Sequence, residues 1–208
     1  MKPGTVHVIG GGAVAVVFDQ FAERDAPTEP TGPVLSDSNP IENQNDDQEC
    51  AMRGSYPAVA QSFTAKAGKL HSVKFYLKLN SGTDPVQIAA KLWAATGTMG
   101  TNAKPTGAPL ATSAPLDSAL IPLAPDGALF EFLFDDTFEL QAGTNYCIGA
   151  ENLAGVLTFG RISFGSARGV ARDLARGAVH TGNYAELSPV QVWAADSVAD
   201  LTFYLYTT

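Results

Sequence analysis

From residue 58 onward, apolar and polar positions alternate with the period of a β-strand. Within residues 70–79, Val73, Phe75, Leu77 and Leu79 fall on one parity and Lys74, Tyr76 and Lys78 on the other, the pattern of a strand with one buried face. Residues 86–95 repeat it, with Val86, Ile88, Ala90 and Leu92 on one side and Gln87, Ala89, Lys91 and Trp93 on the other. Trp93 is therefore expected on the face turned away from the core. Phe130, Phe132 and Phe134 share a parity and are the expected centre of that core. Further strands are predicted at 58–64, 110–116, 145–151, 156–164, 190–193 and 201–206. Residues 86–113 organise the rest, as a strand, an ordered loop and the start of another strand. The loop is punctuated by Gly97, Gly100, Pro105, Gly107 and Pro109, which exclude a helix. Eight or nine short strands with almost no helical periodicity predict an all-β fold, an antiparallel jelly-roll-like β-sandwich over residues 56–208.

The first 55 residues have a different texture. Val14, Val16, Val17 and Phe18 form an apolar tip, followed over residues 25–55 by Pro, Asn, Asp, Glu, Gln and Ser. Such a composition cannot bury enough apolar area to offset its ordering entropy, so residues 1–55 are expected to be an N-terminal arm and tether whose tip buries against something outside the sandwich. Gly10, Gly12 and Ala15 have the spacing of a dinucleotide-binding turn. That motif requires a second strand ending in an acidic residue about 20 positions on, where Pro27, Pro30 and Pro33 stand instead. A secretory signal fits no better, because His7 and three glycines interrupt the apolar stretch and no clear cleavage site follows.

Charge and chemistry narrow the function further. Thirteen basic against twenty-one acidic residues give a formal charge of -8, which repels phosphate backbones and anionic lipid; no apolar run approaches the roughly 20 residues of a membrane-spanning helix. Neither nucleic acid nor a membrane is an expected partner. Cys50 and Cys147 fit no metal spacing and are expected to be free thiols. Asp135, Asp136 and Glu139 read as turn carboxylates, and His7, His71 and His180 are scattered. No catalytic, metal or cofactor site is expected. Binding is better supported, because outward positions carry Tyr76 between Lys74 and Lys78, and Trp93 beside Lys91. Such rings suit stacking on a sugar or burial against another subunit. Tyr76, Lys91 and Trp93 are thus the expected subunit or glycan contact. Arg168, Arg172 and Arg176, four apart, would line up on a helical turn and offer a contact for an acidic partner.

Several segments together resemble a known group. They are Ala60-Gln-Ser-Phe-Thr64, Leu70-His-Ser-Val-Lys-Phe-Tyr-Leu77, Lys91-Leu-Trp-Ala-Ala-Thr-Gly-Thr98, Lys104-Pro-Thr-Gly107 with Leu110-Ala-Thr-Ser113, and Leu140-x-Ala-Gly-Thr-x-Tyr146. As an ordered set they resemble the β-sandwich modules of tailed-phage virion proteins and of some bacterial surface proteins. The typical module carries Tyr where this chain has Trp93. The resemblance implies a structural accessory protein of the virion exterior, such as a head decoration, fibre or appendage subunit. It would be assembled in the host cytoplasm, attached to capsid or tail proteins and in contact with glycans. A homo-oligomer is expected, with a trimer preferred by analogy. The alternative is a secreted or surface carbohydrate-binding module.

Overall fold

The computed structural model describes residues 32–39, 50–81, 85–154, 161–164, 166–168, 180–197 and 199–208, within a compact unit spanning Gly32–Thr208. Along the chain the strands are β1 (Val34–Asn39), β2 (Cys50–Arg53), β3 (Ala58–Thr64), β4 (Gly68–Ser81), β5 (Gln87–Thr96), β6 (Lys104–Thr112), β7 (Leu116–Asp117), β8 (Ala128–Leu133), β9 (Glu139–Leu140), β10 (Asn145–Asn152), β11 (Arg161–Phe164), β12 (Ser166–Arg168), β13 (Tyr184–Leu187), β14 (Trp193–Asp196), β15 (Ala199–Leu201) and β16 (Phe203–Thr207). Among the described residues the helical content is one 3-10 turn, Ser118–Leu120.

Among the described residues the strands form two seven-stranded sheets and a small β12–β15 pair, with every pair of these strands antiparallel. The first sheet is built on the long strand β4. Phe75 pairs with Phe203 of β16 and with Phe130 of β8, while Leu77 pairs with Phe164 of β11 and with Ala128 of β8. Hence β16 and β11 follow one another along one edge of β4, and β8 takes the other. β1 extends the sheet beyond β16, and β2 extends it beyond β11. The second sheet runs β14-β13-β3-β10-β5-β6, with β7 also on β5. Successive strands cross between the sheets, β3 to β4 to β5 and β10 to β11, in the manner of a jelly roll.

Local periodicity decides which side chains meet between the sheets. Val73, Phe75, Leu77 and Leu79 of β4 and Ile88, Ala90 and Leu92 of β5 are all buried in one cluster with Phe63, Phe132, Ile148, Phe164 and Phe203. Phe75 lies at its centre, edge-on to Phe132 at 6.0 Å and to Phe164 at 5.7 Å. Phe132 and Phe134 are buried as expected, whereas Phe130 is half-buried. β8 lies at the margin of its sheet, and its alternate residues Leu129, Glu131 and Leu133 face outward.

The boundary expected near residue 55 moves upstream, because β1 and β2 belong to the sandwich. β1 contributes few apolar side chains, since Val34 and Leu35 are exposed and the buried positions are Ser36 and Asn39. It is held by its backbone ladder to β16 and by the Asn39 amide, which donates to the Leu201 carbonyl at 2.8 Å. An edge strand held by main-chain bonds shows no apolar period, so its composition resembles that of a tether. β2 is apolar but short, and its Cys50, Ala51 and Met52 are buried.

Candidate functional site

The expected contact residues do not come together. Tyr76 is in β4 of the first sheet, whereas Lys91 and Trp93 are in β5 of the second, so no common face carries both rings. Trp93 has the outward parity expected of it, yet it is 3% exposed. Its cover comes from this chain: Trp193 stands edge-on at 5.4 Å, with Ala60, Ala95 and Cys147 around it. Both the neighbouring-copy and the ligand cover expected for Trp93 are thus replaced by an internal contact, made because β14 carries Trp193 on the same outer surface. Lys91 donates to Glu151 at 2.8 Å across the β5–β10 ladder. Tyr76 is half-buried, and its ring occupies space left by the missing side chain of Gly127.

Arg168 lies in a strand, paired with Ala199, so the helical alignment expected with Arg172 and Arg176 does not begin there. Arg172 and Arg176 lie outside the described residues, as do Val14, Val16, Val17 and Phe18.

The two cysteines are free, as expected. Burial among apolar neighbours on the outer face of the second sheet pushes the Cys147 thiol up to about 12, which suppresses the thiolate that alkylation requires. In a Cys50→Ser variant, Cys147 should therefore stay unlabelled by a thiol reagent at mildly alkaline pH and react fully once urea unfolds the chain. Fast labelling of the folded variant would mean that the Trp93–Trp193 cover opens.

His71 and His180 act as ties between elements, while His7 lies outside the described residues. Nδ1 of His180 accepts from the Gly182 N–H at 3.0 Å, which leaves the ring proton on Nε2 to donate to Asp37 at 3.2 Å. Gln61, fully buried in β3, donates to Asp200 at 2.8 Å and accepts from the Leu201 N–H at 2.8 Å. With the Gln61 amide also donating to His180 Nδ1 at 3.3 Å, these bonds join β1, β3 and β15. His71 pairs with Asp136 at 2.9 Å. Asp135 is held below the ordinary carboxylate range, first by the Thr137 hydroxyl and then by the Thr137 N–H. Among the described residues no group of three His, Cys, Asp or Glu side chains could hold a metal ion.

Among the described residues there is also a cleft that residue spacing did not reveal. On one open side of the sandwich, where β2 of the first sheet meets β13 and β14 of the second, a cleft of about 330 Å³ is lined by Cys50, Ala51, Arg53, Thr101, Tyr184, Glu186 and residues 194–197. The position of each polar group has a local cause. Arg53 ends β2 in a tight turn closed by reciprocal main-chain bonds with Tyr56, 3.2 and 2.8 Å, through Gly54 at φ 47°. The turn brings the Tyr56 ring to 5.2 Å from the guanidinium carbon. Tyr184 and Glu186 share a parity on β13, so the buried phenol donates to Glu186 Oε2 at 3.3 Å. Burial first, then the nearby Cys50 and Glu186, hold that phenol well above its ordinary value, so it remains a donor. Asp196 stands opposite Tyr184 in the β13–β14 ladder.

Thr101 reaches the cleft because its loop is clamped. Its turn is closed by the N–H groups of residues 101–103 on the Thr98 carbonyl, and Gly97 supplies the φ of 91° that the tight approach of Asn102 requires. Asn183, fully buried, donates from Nδ2 to the Ala103 carbonyl at 2.8 Å and accepts the Ala103 N–H on Oδ1 at 3.2 Å. The same Oδ1 takes the Ser62 hydroxyl at 3.2 Å. Asn183 thus fixes the 97–103 loop against β3, a role no short-range signal could reveal.

The cleft presents hydrogen-bonding groups of both senses. Arg53 Nη2 lies 3.9 Å from Glu186 Oε2, beyond hydrogen-bond reach. The guanidinium donates to no described residue, and Glu186 Oε1 accepts from none. The result is a donor array and an acceptor side by side in a cleft that Ala51, Ala194 and Ala195 also line. Compared with family models, with curated proteins and with solved structures, the chain has no match in any of the three.

Proposed function

We propose that this chain is a structural accessory subunit of a virion, attached through its N-terminal arm and displaying the β-sandwich outward. The observation that carries the reading is the extent of the described sandwich. Among the described residues its strands run from Val34 to Thr207, and its buried apolar cluster draws on residues from Cys50 to Leu205. The apolar Val14, Val16, Val17 and Phe18 precede it, separated by a Pro-rich polar stretch. Apolar side chains gain free energy when removed from water, and in this reading a capsid or tail protein provides the covering surface. Segments that fold on docking give up about 2 to 5 kcal/mol of gross interaction to ordering, a cost that several linked arms in a homo-oligomer can meet through raised effective concentration. The ordered segment-by-segment resemblance to virion β-sandwich modules agrees with this role.

The test is immunogold labelling of particles purified from the lysate that makes the chain. Surface label on intact particles is the expected result. Its loss when residues 1–31 are removed would assign attachment to the arm. Particles free of the chain would overturn the reading.

A further inference from the structure

We propose that the cleft between Arg53 and Glu186 is a binding site for one saccharide unit, recognised through a pair of neighbouring hydroxyls. The proposal concerns a site apart from the Tyr76 and Trp93 rings, and it holds whether or not the chain belongs to a particle. Three observations carry it. First, Arg53 offers N–H donors that no described residue accepts, and the Glu186 carboxylate 3.9 Å away has an Oε1 that accepts from no described residue. A hydroxyl both donates and accepts, so two adjacent hydroxyls can each bridge this pair, as neither a simple anion nor a simple cation can. Bound anions would face Glu186 and Asp196, and bound cations would face Arg53.

Second, the donor side is held in place. The guanidinium lies over the Tyr56 ring, Glu186 is steadied by the Tyr184 hydroxyl, and Thr101 sits on a loop clamped by Asn183. Groups fixed before binding lose less freedom when the ligand arrives. Third, size and lining agree. A volume of about 330 Å³ is at the small end of ligand sites, and Arg53, Thr101, Tyr184, Glu186, Asp196 and Ser197 line it with hydrogen-bonding side chains, which suits a polyol. A planar amide would use one edge of this lining, whereas a polyol uses the hydroxyl-bearing and charged groups around it.

The test is NMR titration of the full chain with methyl glycosides of glucose, galactose, mannose and N-acetylglucosamine, with N-acetylglycinamide as the amide control. At least one glycoside should shift the backbone amides of Thr101, Ala194 and Ser197 with millimolar affinity. Arg53→Ala and Glu186→Gln should each weaken it about ten- to a hundredfold, the usual range for a hydrogen bond to a charged group. Arg53 is half-exposed and Gln is isosteric with Glu, so both variants should keep the wild-type melting temperature. Trp93→Phe should bind as wild type. The proposal fails if no glycoside moves these amides, if N-acetylglycinamide alone does, or if both cleft variants bind as tightly as wild type. None of these outcomes bears on particle labelling, so the site and the subunit role stand or fall separately.

Discussion

A chain that begins at Gly32 should fold to the same sandwich as the full chain, whereas one that begins at Tyr56 should be unfolded or aggregate. The difference lies in β1 and β2. β2 fills the core with Met52, which is fully buried, and with Cys50 and Ala51; it pairs along its length with β11. Emptying a site of Met52's size typically costs about 2 to 5 kcal/mol. Losing β1 adds the Asn39–Leu201 and Asp37–His180 bonds and leaves the edge of β16 open to pairing with other chains. Against a total stability of about 5 to 15 kcal/mol, these losses remove most or all of the margin. Urea unfolding followed by tryptophan fluorescence, with light scattering for aggregation, checks both chains. If the shorter chain unfolds at the same urea concentration as the longer one, the pairing of β1 and β2 contributes nothing to the fold.

Trp93→Ala should destabilise the sandwich by about 3 to 5 kcal/mol, the cost of truncating a large buried aromatic, and should leave the mass of the native species unchanged. Trp193→Ala should cost less, because that ring is partly exposed. Edge-on pairs contribute about 0.5 to 1.5 kcal/mol beyond area burial, so the double variant should fall short of the sum of the two singles by about that amount. Equilibrium urea curves give the coupling and light scattering gives the mass. A Trp93→Ala chain that kept its stability but changed oligomeric state would return Trp93 to an intersubunit role.

The two predictions rest on different kinds of information. The inward set Val73, Phe75, Leu77 and Leu79, and the outward placement of Trp93, were legible in the sequence because strand parity is local: each residue's side is decided by its neighbours two positions away. The turn chemistry at Gly97 and Gly100 was legible for the same reason, since glycine at positive φ acts within one or two residues, whereas Pro105, Gly107 and Pro109, expected in the loop, lie in β6, where pairing with β5 decides the backbone. Parity states which face a ring is on and is silent about what lies over that face.

The sequence by itself therefore determined the all-β class, most strand positions in residues 58–152 and their buried faces. The tertiary structure alone decided which strands share a sheet, and so separated Tyr76 from Trp93 and brought Trp193 over Trp93. It also decided that a polar stretch at residues 34–39 is a strand, because its hydrogen bonds are satisfied by β16, from the far end of the chain. The cleft depends wholly on such pairings: Arg53 comes from an edge of one sheet, Glu186 from near an edge of the other, and Thr101 from a loop positioned by Asn183. The physical reason is common to all of them. Local sequence sets backbone direction and side-chain parity, whereas register between distant strands is set by the packing of the whole core, and sites built at the meeting of two sheets exist only after that packing is complete.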